Sequence, residues 1–239
     1  MRFDIITIFP KVFEGYFNES IISRAQKNKL VKIKIWDLRK FLRGKERLDD
    51  RPYGGGPGMV LKVEPIARAL EKIITPLIPL TLRGTRQNGA PLKVRGAGGV
   101  MVVFLSASGK QFDSKMAVDF SKQYNRIILI AGHYEGIDER IKNIVKACGL
   151  RLMTISVGQY VLTGGELPAM VIIDAITRHI PGVLGKAESL EEKRYGVGVP
   201  AYTRPEIFKF KGKKYKVPPV LLSGDHTKID RWRKHHAKR

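Results

Sequence analysis

The chain has 239 residues, and its 44 Lys and Arg against 22 Asp and Glu give a formal net charge of +22. Hydrophobic residues make up 43%, enough for one good-sized domain and a small appendage. No apolar run is long enough to span a bilayer, Met1 to Pro10 lacks the form of a signal peptide, and the single cysteine, Cys148, excludes an internal disulfide and fits a reducing cytoplasm.

In chain order, Phe3 to Phe9 predicts a first strand, Val12 to Lys29 a helix, and the alternating run Val31 to Trp36 a half-buried strand. Leu48 to Met59 carries too much Gly and Pro for regular structure. Val63 to Ile74 predicts a helix with Pro65 in its first turn. Thr75 to Gly99 is basic, with Pro, Gly and little periodicity, and predicts a long loop or irregular hairpin. Val100 to Leu105 predicts a buried strand ending in Ser106-Ala107-Ser108-Gly109, followed by a helix over Asp113 to Lys122 with Asp113 as N-cap. Arg126 to Ala131 is a strand, Asp138 to Cys148 a helix, Leu152 to Ser156 a short strand, and Glu166 to Arg178 a strongly apolar helix. Such alternation of strand and helix means an α/β fold with a mostly parallel sheet. Lys186 to Val199 reads as a linker. Tyr202 to Arg239 is basic, with a short terminal helix over Thr227 to Lys238.

Charge points to the partner. So large a cationic excess favours a polyanion, and without a basic amphipathic helix bearing an aromatic face, nucleic acid is preferred to a membrane. Two glycine-rich stretches, Ala131 to Arg140 and Ser156 to Pro168, each follow a buried strand. Glycine there permits sharp turns and close backbone approach, which suggests a pocket built largely from main-chain groups. The sequence has no G-x-G-x-x-G after a strand, no G-x-x-x-x-G-K-[ST], no zinc-type Cys/His spacing and no G-x-S-x-G. These absences weigh against oxidoreductase, NTPase, metallohydrolase and serine hydrolase chemistry.

Six motifs in order carry a specific likeness: Asp49 to Met59, His133 to Arg140, Tyr160 to Met170, Ile180 to Gly185, Tyr202 to Pro205 and Val217 to Gly224. Together they closely resemble the bacterial tRNA (guanine-N1) methyltransferases, from residue 1 to about Trp232. The resemblance implies an α/β, SPOUT-type, trefoil-knotted parallel-sheet domain over residues 1–185. It further implies a linker over 186–199 carrying the catalytic base, and a small basic helical tRNA-binding domain over 200–239, shortened relative to the family. Knots are rare enough that pattern alone would not suggest one. Also implied are a cytoplasmic homodimer, tRNA as substrate with neither DNA nor membrane as partner, S-adenosyl-L-methionine as methyl donor and Mg2+ as an accessory by family analogy. The target would be N1 of guanine at tRNA position 37, immediately 3′ of the anticodon.

Carried over residue by residue, the donor pocket comprises Leu105, Ser106, Gly132, Tyr134 and Glu135, then Ser156, Val157, Gly158, Tyr160 and Leu162, then Gly164, Gly165 and Pro168. The tRNA contacts comprise Asp50, Arg51, Tyr53, Gly55 and Gly56, with Tyr202, Arg204 and Ser223. N1 methylation needs a base for the N1 proton and a cation for the charge developing on O6. Arg178 takes the second role in the resemblance, against the plain reading of a helix C-cap. The family's linker Asp is absent from Ser189 to Gly196, so Glu192 is the candidate base and Glu191 the second, against a reading of solvated linker charges. Gln159 stands where the family has an acid. Two other readings stay open at this level: methylation of another RNA position, and a non-catalytic RNA-binding homologue.

Overall fold

The structure is a computed structural model that describes residues 1–77, 99–185, 190 and 198–237. It divides into two compact units, Met1–Val183 and Leu184–Arg239. No helix among the described residues is long and apolar enough to cross a membrane.

The first unit is a five-stranded parallel sheet between two helical layers. Its strands are β1 (Arg2–Thr7), β2 (Lys32–Asp37), β5 (Val100–Gln111), β6 (Arg126–Ile130) and β7 (Arg151–Ser156), in the order β2-β1-β6-β5-β7. The central strands read as unbroken apolar runs because both faces are covered. Along β5, Met101, Val103 and Leu105 enter one core with Phe3, Ile5, Ile127 and Leu129, beneath α2 (Ser20–Lys27), α4 (Ser114–Gln123) and α6 (Glu166–Thr177). The alternate residues Val100, Val102 and Phe104 enter the other core with Ile6, Ile128 and Ile130, beneath α3 (Val63–Ile74) and α5 (Arg140–Ala147).

The amino ends of the strands hold a buried ionic knot. Asp4 is fully buried on β1 and accepts from Arg126 Nε at 2.7 Å, from Arg2 Nε at 2.9 Å and Nη2 at 2.8 Å, and from Trp36 Nε1 at 2.7 Å. Arg126 sits directly across from Arg2 in the β1–β6 register. Burial raises the Asp4 pKa, but the hydrogen bonds from Arg2, Arg126 and Trp36 outweigh it and hold the carboxyl below its ordinary value. Both Asp4 oxygens are thereby hydrogen-bonded and the charge is paired, which is what a buried carboxylate requires.

Three expectations are corrected. Val12 to Lys29 is not one helix: a 3₁₀ turn at Pro10–Phe13 leads into α1 (Glu14–Phe17), and α2 restarts at Ser20, whose φ is 50°. Asn18 and Ser20 favour such a break, and it lets Phe13, Phe17 and Ile22 all reach one core. The Leu48 to Met59 segment is not wholly irregular, since β3 (Asp49–Asp50) pairs antiparallel with β4 (Val60–Leu61) at its base. Strand β5 does not end at Leu105 but runs on to Gln111, and its pairing with β7 jumps, so that Ile155 faces both Leu105 and Lys110. A Cβ on Gly109 would lie 2.6 Å from the Ile155 backbone, so only glycine passes there. The Thr75 to Gly99 expectation falls largely outside the described residues, which show only a 3₁₀ turn at Thr75–Leu77.

The second unit contains a hairpin of β8 (Ile207–Phe210) and β9 (Lys213–Lys216), then α7 (Pro219–Leu222) and α8 (His226–His236). The hairpin was not anticipated, and it makes this unit mixed rather than purely helical. Asp225 caps α8 by accepting from Lys228 N at 3.1 Å.

Candidate active site

The carboxyl ends of β5, β6 and β7 open into a cavity of about 1200 Å³. Parallel sheets place ligands there, because strand ends release loops whose backbone groups are not yet paired. The volume exceeds the roughly 300–1,000 Å³ of a single small-ligand pocket, which leaves space for a second reactant.

Leu105 and Ser106 come from the point where the pairing of β5 with β7 breaks, and Gly132, Tyr134 and Glu135 from the loop after β6. Ser156, Val157, Tyr160 and Leu162 come from the loop after β7, with Gly164, Gly165 and Pro168 at the entry to α6. Gly158 lies behind this lining, where Ser156 Oγ donates to Gly158 O at 2.7 Å and braces the turn. A side chain on Gly158 would collide with the Tyr160 ring.

The two glycine loops are joined. Gly165 N donates to Gly132 O at 2.8 Å, and His133 bridges Gly164 in antiparallel fashion. A Cβ on Gly165 would sit 2.7 Å from Ala131 Cα and 2.9 Å from Gly132 N. One on Gly164 would meet the Glu166 carboxylate and lie 2.7 Å from His133 Nδ1. Glu166 itself is held below the loops by Thr7, whose Oγ1 donates to Oε1 at 2.7 Å. Tyr134 takes a left-handed φ of 59°, an uncommon conformation for an aromatic residue, and half its ring surface is exposed at the cavity.

Asp50, Arg51 and Tyr53 also line this cavity, so the first motif stands beside the donor loops. Backbone bonds fasten it there: Glu135 N to Met59 O, Leu61 N to Gly136 O and Asp138 N to Leu61 O, each at 3.0 Å. Gly58 packs so closely on Glu135 that an added Cβ would lie 2.5 Å from its Cγ. The Arg51 backbone N–H, then Lys62, hold the Asp50 carboxyl below its usual range. Gly55 and Gly56 do not line the cavity; they form the exposed turn beyond it, with φ of 82° and 114°. Tyr53 is fully exposed.

Arg178 is not among the residues that line this cavity. Arg178 caps the carboxyl end of α6, its N–H donating to Asp174 O at 3.2 Å. Pro168 lines the cavity from the other end of that 12-residue helix, so about 18 Å of helix separates the Arg178 backbone from the donor loops of its own chain. Glu191 and Glu192 lie outside the described residues. In the second unit, Tyr202 and Arg204 line a separate cavity of about 1090 Å³ with Val217, Leu221 and Arg233. Ser223 is occupied in the turn after α7, donating to Val220 O at 2.8 Å.

Sequence reasoning missed His133, Asp138 and Arg140, which also line the cavity. His133 Nδ1 is buried and has no hydrogen-bond partner among the described residues, an orphan that a bound polar ligand would satisfy. Arg140 grips Asp138 through Nε at 3.0 Å, and that bond holds the Asp138 carboxyl below its usual range. All three stood within the second motif; what hid them was that nothing local shows which of its side chains turn inward.

Glycine loops at the ends of parallel strands, joined around one cavity that holds an orphaned ring nitrogen, place the chain among α/β proteins with a site at the carboxyl edge of the sheet. The family model for "tRNA (Guanine-1)-methyltransferase TrmD" matches residues 1–239. A tRNA (guanine-N(1)-)-methyltransferase of Dictyoglomus turgidum is 44% identical, covering 99% of this chain and 85% of its own length. Those of Moorella thermoacetica and Dehalococcoides mccartyi are 43% and 41% identical, covering 99% and 100% of this chain and 85% and 86% of their own. The chain belongs to this family, the enzymes that methylate N1 of guanine in tRNA.

Proposed function

We propose that the cavity at the ends of β5, β6 and β7 holds S-adenosyl-L-methionine beside the guanine at tRNA position 37, immediately 3′ of the anticodon. The observation that carries this reading is the joining of the two glycine loops to the Asp50–Tyr53 segment around one cavity of two-reactant size. S-adenosylmethionine, when bound, supplies a methyl group on a positively charged sulfur. Leu105, Val157 and Leu162 offer apolar surfaces for the adenine, and the main chain at Gly132, Gly164 and Gly165 lies open to its polar edges.

The N1 proton passes to a linker carboxylate, Glu192 first and Glu191 second. As the proton leaves, the electron pair on N1 would form the new bond to the methyl carbon while that carbon's bond to the donor sulfur breaks, its electrons staying on sulfur as a neutral thioether, and charge gathered on O6 would be met by the Arg178 guanidinium. Arg178 lies far along α6 from the donor loops of its own chain, so this reading requires a homodimer in which a second copy presents it. Val161, Leu167 and Val171, exposed by 85, 54 and 50%, supply an apolar patch for that copy to cover. The strand excursion at Ser106–Gly109 and the tight contact of Gly109 with β7 favour the trefoil-knotted, SPOUT-type arrangement. The first unit is then the catalytic domain and the second the tRNA-binding one, working in the cytoplasm. For Mg2+, the described residues contain no group of three His, Cys, Asp or Glu side chains that could hold it, and no step is routed through it.

The test is transfer from radiolabelled S-adenosylmethionine to tRNA transcripts carrying G or A after the anticodon. Label enters the G transcript alone. Label in both, or in neither while the protein still binds the donor, would overturn the reading.

A further inference from the structure

We propose that the β8–β9 hairpin is an RNA-stacking arm that takes unpaired bases of the tRNA on one face and phosphates on the other. This rests on tRNA being the partner and adds a binding surface within the second unit.

The hairpin turns through Lys211 and Gly212, at φ of 47° and 75°, the two positive values that a type I′ turn needs. Its register pairs Phe208 with Tyr215 and Phe210 with Lys213. Side chains alternate across a strand, so Phe208, Phe210, Tyr215 and Lys213 share one face, and Ile207, Lys209, Lys214 and Lys216 the other. All eight are exposed. Phe208, Phe210 and Tyr215 each leave more than half their surface in solvent, and the two Phe rings lie only 14° from parallel with centroids 6.3 Å apart.

Ile207 to Lys216 contains five lysines and no carboxylate. Among the described residues none of the five ion-pairs with an acid, though Lys211 Nζ lies 5.7 Å from the Phe210 ring centroid. Protein interfaces are depleted in lysine, so so lysine-rich a hairpin is a poor protein-docking surface. Stacking rings backed by cations are the composition of single-strand platforms, where every base offers a π-face. Duplex RNA hides its base faces, so the fitting ligand is a loop with splayed bases.

The test measures binding of the full chain to a tRNA transcript, an isolated anticodon stem-loop and a blunt RNA duplex by fluorescence anisotropy. Phe208→Ala with Phe210→Ala weakens binding to the first two about tenfold, and to the duplex less than about twofold. Phe208→Tyr with Phe210→Trp keeps wild-type affinity, which separates stacking from folding of the hairpin. Lys209→Gln with Lys214→Gln and Lys216→Gln flattens the log K against log salt slope by about 2, three phosphates at about 0.7 each. Donor affinity by calorimetry is unchanged in every variant. Equal loss on the duplex, no loss on any RNA, or a changed oligomeric state in the alanine variant would overturn the arm. A wild-type chain that binds loop RNA through the hairpin yet transfers no methyl would overturn the catalytic reading alone.

Discussion

Gly165→Ala tests whether the two donor loops depend on backbone contact. The added methyl carbon would lie 2.7 Å from Ala131 Cα and 2.9 Å from Gly132 N. Carbon atoms rest comfortably at about 3.5–4.0 Å, so the loops must part by close to 1 Å. The atoms in the way are backbone at the end of β6, which no rotamer change can move aside. Gly165 is not in the left-handed region, its φ being −83°, so the cost is contact and not backbone strain. Overpacking of this kind costs about 1–3 kcal/mol, and each kcal/mol lowers Tm by about 2–4 °C for a chain of this size. Separation also weakens the Gly165 N to Gly132 O bond that joins the loops. A misplacement near 1 Å reduces kcat/KM by about 10²-fold. Thermal unfolding, donor calorimetry and steady-state rates read these three effects. Gly15→Ala is the control: nothing lies within 4 Å of its Cβ, so it keeps both Tm and activity. A Gly165→Ala enzyme with wild-type Tm and donor affinity would refute the reasoning.

Other outcomes follow from the same geometry. Arg178→Ala lowers the single-turnover rate by about 10²–10³-fold while donor affinity holds, because in the proposed reading the side chain meets O6 of the guanine and does not touch the donor. Glu192→Gln lowers kcat by about 10²–10⁴-fold and removes the acid limb of the rate profile, whereas Glu191→Gln costs under about tenfold; the reverse ranking would move the base to Glu191. Asp4→Asn costs about 3–5 kcal/mol in urea unfolding at neutral pH, chiefly because it leaves the buried Arg126 guanidinium without its counter-charge, with a smaller part from the partly exposed Arg2. Because the folded Asp4 pKa is depressed, its stabilisation is present above the ordinary carboxylate value and is lost as pH falls below about 4 through the folded pKa. Wild-type stability therefore drops over that acid range, and the Asn variant loses that part of the slope.

The sequence alone was enough for a mostly parallel sheet, the Asp113 cap and the family likeness, because those signals are local or lie in fixed order. Val100 to Leu105 and Arg126 to Ala131 read as strands and are strands with residues in both cores, and Asp113 accepts from Met116 N at 2.7 Å as its position before α4 suggested. The glycine-rich stretches announced a main-chain cavity, and the cavity is there. Tertiary structure decided the rest. It placed Gly109 against Ile155 and tied Met59 and Leu61 to the loop after β6, pairings between segments tens of residues apart that leave no local trace. It joined Asp4 to Arg126 across 122 residues, where each residue alone reads as a surface charge. It also set the antiparallel bridge between His133 and Gly164, because two loops meet only once the strands before them lie in one sheet.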